Sequence, residues 1–469
     1  MSVTSAKNEV VPELELDVVD ELVSRPPIPD GQRLTDILDK ARSLAGLDLA
    51  EAAALLQSGA EQREQIFSAA KDVKERIYGR RVVLFAPLYA SNECSNNCLY
   101  CAFRKDNRDL VRRTLTMDEV AAEIRVLEDM GHKRVLLVLG ESGRSGADYA
   151  VEALATAYST RSGRGEIRRA NANMAPLPVE GFQALKAAGL GTYQCFQETY
   201  HPDQYRRLHP SGPKADYNWR LGVFDRAFAG GVDDVGMGVL FGLYDYRFDL
   251  LALLAHARYL DSRYGVGPHT ISFPRIEPAQ NAPAAEHIPY PVSDDDLLLI
   301  VAVIRLAVPY TGIIMSTRET PDMRRELLAL GVSQISAASR VYPGGYSDGR
   351  PHVEEGEQFC LGDTRSVDAV IRDLCEHGYV PSFCTACYRL GRTGHEFMNF
   401  AKPGKIQRYC TPNALVTFQE YLIDYASPET RVVGERLANE LLAEVAPPLI
   451  ETVKQRLAAT RAGERDLYL

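Results

Sequence analysis

The sequence predicts an α/β chain built round a complete (βα)8, TIM-like barrel of parallel strands, preceded by helices and followed by a mainly helical C-terminal domain. Three observations carry this. Eight apolar runs of strand length follow one another between residues 82 and 340, and helical patterns separate them. The array occupies about 260 residues, close to the length such a barrel needs. After residue 340 the rhythm stops, and glycines, prolines and then helical periodicity take over. An open, doubly wound sheet is the alternative that the same units allow.

In chain order, residues 1–30 are acidic and end in Arg25-Pro-Pro-Ile-Pro-Asp30, a poor helix former expected to lie as an arm. Apolar and small residues recur three and four apart over 34–57 and 61–78, which predicts two helices and completes an N-terminal segment of residues 1–80. The barrel is expected over 81–344, with strands at 82–87, 134–140, 169–174, 192–198, 234–242, 269–275, 312–318 and 334–340. Helices are expected between them at 116–130, 179–188, 218–229, 248–264, 294–308 and 321–330. The C-terminal domain, 345–469, opens within a Gly- and Pro-rich loop at 343–351 and is expected to hold helices at 366–377, 417–425 and 428–460.

Of the 469 residues, 45% are apolar and 25% charged, enough to bury a large core. A net charge of -10 with no long basic run argues against nucleic acid as a partner. No run approaches the roughly 20 apolar residues of a membrane span, and the start lacks the apolar core of a secretion signal, so a cytoplasmic protein without membrane contact is expected. Six of the nine cysteines fall into two triplets, a metal-binding pattern rather than a disulfide framework. Cys195, Cys360 and Cys375 are left over and are expected to be buried or incidental thiols.

The first triplet, Cys94-x3-Cys98-x2-Cys101, directly follows the first strand, where a barrel keeps its reactive groups. Three thiolates without a fourth suit a centre with one open position. Structural zinc is closed by four ligands, whereas a cubane iron-sulfur cluster held by three cysteines leaves one iron free. Other strand ends add polar groups. Gly140-Glu141 follows the second strand, Asn171 and Asn173 alternate on the third, Glu198 closes the fourth, and Arg220 opens the next helix and suits a carboxylate. Gly236 and Gly238 lie within the fifth strand, marking either close approach of a flat ligand or a bulge. Ser316 and Arg318 point the same way on the seventh, fitting either a carboxylate-bearing substrate such as an amino acid or a structural salt bridge. The second triplet, Cys384-x2-Cys387-x22-Cys410, reads as another iron-sulfur cluster or as zinc with His395 as fourth ligand.

The first triplet resembles the cluster loop of radical S-adenosylmethionine (SAM) enzymes. Four segments extend the likeness: Gly191-Thr-Tyr-Gln-Cys-Phe-Gln-Glu-Thr-Tyr-His201, Gly238-Val-Leu-Phe-Gly-Leu-Tyr-Asp-Tyr246, Gly267-Pro-His-Thr-Ile-Ser-Phe-Pro-Arg275 and Cys384-Thr-Ala-Cys-Tyr-Arg389. Together they resemble the radical SAM tyrosine lyases that mature iron-iron hydrogenases, from about residue 30 to the C-terminus. The second triplet is the most specific element, because the related lyases of thiazole biosynthesis share the barrel and the first triplet but lack it.

The resemblance implies two [4Fe-4S] clusters. One sits on Cys94, Cys98 and Cys101 and binds SAM; the other sits on Cys384, Cys387 and Cys410 and carries an additional iron with a bound cysteine, for which His269 is the implied ligand. Tyr100 would pack near the adenine, Gly140 and Glu141 would meet the SAM amino group, and Asn173, Glu198, Arg220, Gly236 and Gly238 would contact the rest of SAM. Only one glycine of the family's Gly-Gly-Glu is present. Ser316 and Arg318 would hold L-tyrosine. The implied carbon-carbon lyase reaction begins with reductive SAM cleavage. The resulting 5'-deoxyadenosyl radical takes hydrogen from the tyrosine amino group, releasing p-cresol and dehydroglycine. Dehydroglycine becomes carbon monoxide and cyanide, exported as an iron-carbonyl-cyanide synthon for the hydrogenase active site. Implied partners are an electron donor such as a ferredoxin or flavodoxin and the other hydrogenase maturation proteins. The alternatives are a tyrosine lyase supplying dehydroglycine for thiazole formation and a non-catalytic iron-sulfur scaffold or carrier. His269 opens the sixth strand while Arg275 closes it, so His269 is expected at the lower mouth, on the order of 20 Å from the first cluster, with an internal route joining the two.

Overall fold

Eight parallel strands close on themselves because the first pairs with both the second and the eighth, which rules out the open sheet. In the computed structural model, which describes residues 10–349 and 356–469, these are β1 Arg81–Ser91, β2 Arg134–Leu139, β3 Arg169–Asn173, β4 Tyr193–Glu198, β5 Val235–Val239, β6 Thr270–Ser272, β7 Gly312–Met315 and β8 Gln334–Ser336. Several of the helices between them begin at side-chain caps that the sequence supplies. Thr116 and Glu119 form a capping box on Met117–Asp129, Ser293 caps Asp294–Ala307, and Thr320 caps Pro321–Leu330.

One strand was not expected. β9, Val380–Ser382, pairs in parallel with the start of β1 in the register Arg81↔Val380 to Val83↔Ser382. Higher up, from Ala86, β1 pairs with β2 instead. At the lower mouth the late strand therefore takes the side of β1 that β2 takes higher up, and the segment carrying Cys384 follows it there. The sheet thus crosses the domain boundary expected at residue 345. Every residue of β1 is buried, since it is bordered by β2, β8 and β9.

Four helical expectations are corrected. Leu16–Ser24 is a helix, not an extended arm; Val19 is fully buried, and the helix packs on Tyr246–Tyr264. The single helix expected over 34–57 is two, Gly31–Arg42 and Leu49–Leu55, because Leu44 and Gly46 both take left-handed backbone angles between them. The stretch 428–460 is likewise divided into Pro428–Ala443 and Pro447–Arg461, since Pro447 and Pro448 lack the amide protons to continue the first helix. The helix expected at 417–425 begins ten residues earlier, at Gln407, and so carries Cys410 in its first turn. The expected loop at 343–351 falls partly outside the described residues, as do residues 1–9. No described helix is long and apolar enough to cross a membrane.

Candidate active site and second cysteine site

At the upper mouth, the cysteine loop is held by a network with little slack. The Arg112 guanidinium donates to four carbonyls that frame it, those of Asn92 (2.9 Å), Phe103 (2.7 Å), Arg104 (2.6 Å) and Asn107 (3.0 Å). Asn97 donates to Asp106 at 2.6 Å, and Leu99 N–H bonds the Leu208 carbonyl at 3.0 Å. Gly140 is required by this loop: a Cβ there would run into the Glu93 carbonyl oxygen. Glu141 also serves the loop. Its carboxylate accepts from Asn96 at 2.6 Å, and its carbonyl accepts from Ser95 N–H and Oγ at 2.8 and 2.7 Å.

The three cysteines open onto a cavity of about 240 Å³ inside the upper barrel. Tyr100, Gly140, Glu141, Asn173, Glu198, Arg220, Ser316 and Arg318 line it with them. Tyr100 is fixed by a 2.7 Å hydrogen bond between its hydroxyl and His209 Nε2. Glu198 breaks the β4 register, with φ 70°, and its carboxylate pairs with Lys214 at 2.5 Å, both side chains 12% exposed. Arg220 is buried, not a surface cap, and donates to Cys195 Sγ at 2.7 Å and to the Phe196 carbonyl at 3.3 Å. The Arg318 guanidinium lies 3.3 Å from the centroid of the Phe359 ring and forms no ion pair among the described residues, so the salt-bridge alternative fails.

Three expected residues fall elsewhere. Gly236 and Gly238 do not line the cavity: a side chain at Gly236 would strike Thr270 and Gln194, and one at Gly238 would strike Phe196 and Ser272. They make room for neighbouring strands. Asn171 accepts from Thr192 N–H at 2.9 Å and is a strut between β3 and β4. Lys214 and Gln358, whose amide lies 3.6 Å from Cys101 Sγ, were missed because partners such as Asn96 and Cys101 are distant in the chain, and Arg112 was missed because its partners are backbone carbonyls.

At the lower mouth a second, separate cavity of about 50 Å³ is lined by Cys384, Cys387 and Cys410 with His269, Tyr388, Arg81 and Arg134. Arg134 donates to the Cys384 carbonyl at 3.1 Å. His269 Nε2 is 3.1 Å from the Tyr388 hydroxyl and Nδ1 is 3.8 Å from Asp234. Burial lowers the His269 pKa; Asp234 opposes this, but Arg169, Arg134 and Arg81 reinforce it. His395 is exposed, packs against Gly265 and does not line this cavity, so it is not the fourth ligand of a zinc site. Among the described residues no three His, Cys, Asp or Glu side chains gather round a single metal-ion position. Two distinct cavities, one at each mouth, lie along the line on which an internal route was expected.

Donor chemistry fits iron-sulfur clusters at both sites. Burial pushes the Cys98 and Cys384 thiols up to about 12 and Cys387 to about 11, so bare thiolates are disfavoured and a soft metal centre compensates for their desolvation.

Comparisons with known proteins agree with this arrangement. Residues 88–256 match the radical SAM superfamily and 272–380 the biotin and thiamin synthesis associated domain. The 2-iminoacetate synthase of Escherichia coli is 32% identical over 355 residues, covering 75% of this chain and 90% of that one. A crystal structure of HydG, a maturase of the [FeFe]-hydrogenase, superposes with a TM-score of 0.94 at 46% identity, covering 97% of this chain and 99% of the other. HydG from Carboxydothermus hydrogenoformans gives 0.81 at 40% identity, covering 94% and 96%. With this likeness running over nearly its whole length, the chain belongs to the radical SAM superfamily and, within it, to the HydG family of hydrogenase maturases.

Proposed function

We propose that the protein is a radical SAM lyase that cleaves L-tyrosine to p-cresol and dehydroglycine at the upper site, and that carbon monoxide and cyanide arise from dehydroglycine at the lower one. The observation that carries this is the pair of cysteine triplets on separate cavities at opposite ends of one barrel, the upper cavity also holding the Arg318 guanidinium, which has no ion pair among the described residues. Cys94, Cys98 and Cys101 hold the first [4Fe-4S] cluster and Cys384, Cys387 and Cys410 the second, with His269 toward an additional iron bearing a cysteine. When bound, the first cluster and SAM supply the 5'-deoxyadenosyl radical. Tyr100, Asn173, Glu198 and Arg220 orient SAM; Ser316 and Arg318 receive the substrate carboxylate. The product is an iron-carbonyl-cyanide synthon for an [FeFe]-hydrogenase. The partners are a low-potential electron donor such as a ferredoxin or flavodoxin and the other maturation proteins, in the cytoplasm.

The 32% identity to a 2-iminoacetate synthase supports a second reading, in which dehydroglycine is released for thiazole formation. Anaerobic incubation with SAM, tyrosine and dithionite decides between them. Both predict p-cresol and 5'-deoxyadenosine, and only the first predicts carbon monoxide and cyanide. Cys98→Ala is expected to abolish all products, whereas Cys387→Ala retains p-cresol and loses carbon monoxide. Absence of p-cresol from the wild type sinks both readings.

A further inference from the structure

Three carboxylates line the upper cavity, and two are committed elsewhere: Glu141 to Asn96 at 2.6 Å and Glu198 to Lys214 at 2.5 Å. The third, Glu277, makes no hydrogen bond or ion pair among the described residues. Its neighbour Glu319 is taken by Arg275, at 3.1 and 2.7 Å. We infer that Glu277 is a catalytic base of the upper site, taking a proton from the ammonium group of the amino-acid substrate while Arg318 holds its carboxylate. This rests on the lyase reading above, in which a hydrogen atom is lost from the amino nitrogen.

Glu277 stands on a pinned stretch of backbone. On one side Ile276 N–H bonds the Phe241 carbonyl at 3.0 Å; on the other, the Pro278 carbonyl accepts from Cys360 N–H at 2.9 Å. Cys360 follows Phe359, the ring that carries the Arg318 guanidinium. The free carboxylate and the free guanidinium are therefore brought to one wall of the cavity by the same contact, a fixed pair of opposite charges matched to the two ends of an α-amino acid head group. Burial raises the Glu277 carboxyl to about 7; Glu319 adds to the rise, and Arg318 and Arg275 oppose it. A carboxyl in that range exchanges protons near neutral pH.

The step is a proton transfer alone. One N–H bond of the ammonium breaks heterolytically, the proton bonds a Glu277 carboxylate oxygen, and the electron pair stays on nitrogen. The neutral amine keeps two hydrogens, and its lone pair stabilises the nitrogen radical that an ammonium cannot support.

The test compares cluster-loaded wild type with Glu277→Gln, which keeps shape and loses basicity. At pH 7 the variant is expected to form p-cresol at least about 100-fold more slowly. Its rate should climb close to tenfold per pH unit as the substrate amine deprotonates in solution, while the wild type levels off above neutrality. A binding measurement needs no turnover. By anaerobic calorimetry the wild type should favour L-tyrosine over 3-(4-hydroxyphenyl)propionate by about tenfold or more, and Glu277→Gln should lose that preference. Should Glu277→Gln fail to retain iron, Glu277→Asp decides: a displaced pH profile supports the assignment and an unchanged one overturns it. Wild-type rate, pH profile and ligand preference in Glu277→Gln overturn the base while the lyase stands. No p-cresol from the wild type sinks the lyase reading and this assignment with it.

Discussion

Lys214→Met isolates the electrostatics of the upper cavity. The ammonium sits 2.5 Å from the Glu198 carboxylate with both side chains 12% exposed. At an effective dielectric constant near 20 the gross attraction over that distance is about 7 kcal/mol, much of it offset by the desolvation of two ions. Removing the lysine alone leaves a carboxylate buried without a partner, which costs about 3–5 kcal/mol. The Lys214 backbone is anchored separately: its N–H donates to Asn96 Oδ1 at 2.8 Å, and its carbonyl accepts from the Tyr205 hydroxyl at 2.6 Å. The loss therefore belongs to the charge. Adding Glu198→Gln should return most of the stability, giving a coupling energy of about 2–4 kcal/mol in a double-mutant cycle read from urea midpoints. Burial and Arg220 act to lower the lysine pKa, but Glu198 and Cys98 outweigh them, and it ends raised. A lysine with a raised folded pKa contributes fully below its unfolded value of about 10.4 and loses the contribution only above it, so the cycle should be flat from about pH 6 to 9. A cost below about 1 kcal/mol for Lys214→Met, or a double variant no better than the single one, refutes the reasoning and means that water screens the pair.

Gly140→Ala puts a Cβ against the Glu93 carbonyl, the residue before Cys94, and overpacking of this kind costs about 1–3 kcal/mol. Bound iron should fall by about half as the first cluster is lost and the second kept, read by colorimetric iron and cluster EPR; full iron content would show that the loop yields. The third expectation concerns pH. Asp249, fully buried and accepting from Thr199 Oγ1 at 2.9 Å and Tyr200 N–H at 2.7 Å, has its carboxyl pushed up to about 7 by burial. The folded state then holds more protons than the unfolded one between about pH 4 and 7, so stability falls as pH rises through that window, by an upper bound on the order of 4 kcal/mol. Asp249→Asn should flatten the slope in urea titrations at successive pH values. A smaller slope of the same sign should persist from Glu128 and Glu277, also raised to about 7.

The barrel was legible because strands such as β1, β2 and β7 are apolar runs in a parallel sheet covered on both faces and because helical patterns alternate with the strands throughout, a rhythm that survives reading in one dimension. Its ends were not. The sixth strand shrank from 269–275 to Thr270–Ser272, and the first grew to Arg81–Ser91, since pairing length is set by neighbours. β9 was invisible: Val-Pro-Ser is short and contains a proline, and only its edge pairing with β1 makes it a strand. Among site residues, the cysteines could be found because their spacing is local, whereas Lys214 and Tyr388 act through partners far along the chain, Asn96 and His269, and Arg112 acts on backbone carbonyls, which carry no side-chain signal in a sequence. One overlooked signal did exist. β2 and β3 each begin at a basic pair, Lys133-Arg134 and Arg168-Arg169, an uncommon opening for buried strands. Arg134 and Arg81 line the second cysteine site, Arg169 lies against the Tyr388 ring, and all three add to the burial that lowers the His269 pKa.

The separation of the two cavities is the feature on which a two-site enzyme depends, and the barrel makes it thin. On three strands, residues only two apart line different cavities: Val83 and Phe85 on β1, Arg134 and Leu136 on β2, Gln334 and Ser336 on β8. Two residues along a strand span about 7 Å, so one layer of side chains divides the sites. In a packed barrel such a layer is made of branched apolar residues. Here the strands contribute Asn171, Gln194, Thr270 and Gln334, with glycine at 236 and 312, and the buried Thr270 and Ser336 hydroxyls have no hydrogen-bond partner among the described residues. Small and polar groups of this kind reorient without opening the strands. Passage of a small fragment from one cavity to the other therefore requires side-chain rotation in one layer and leaves the hydrogen-bonded wall of the barrel undisturbed.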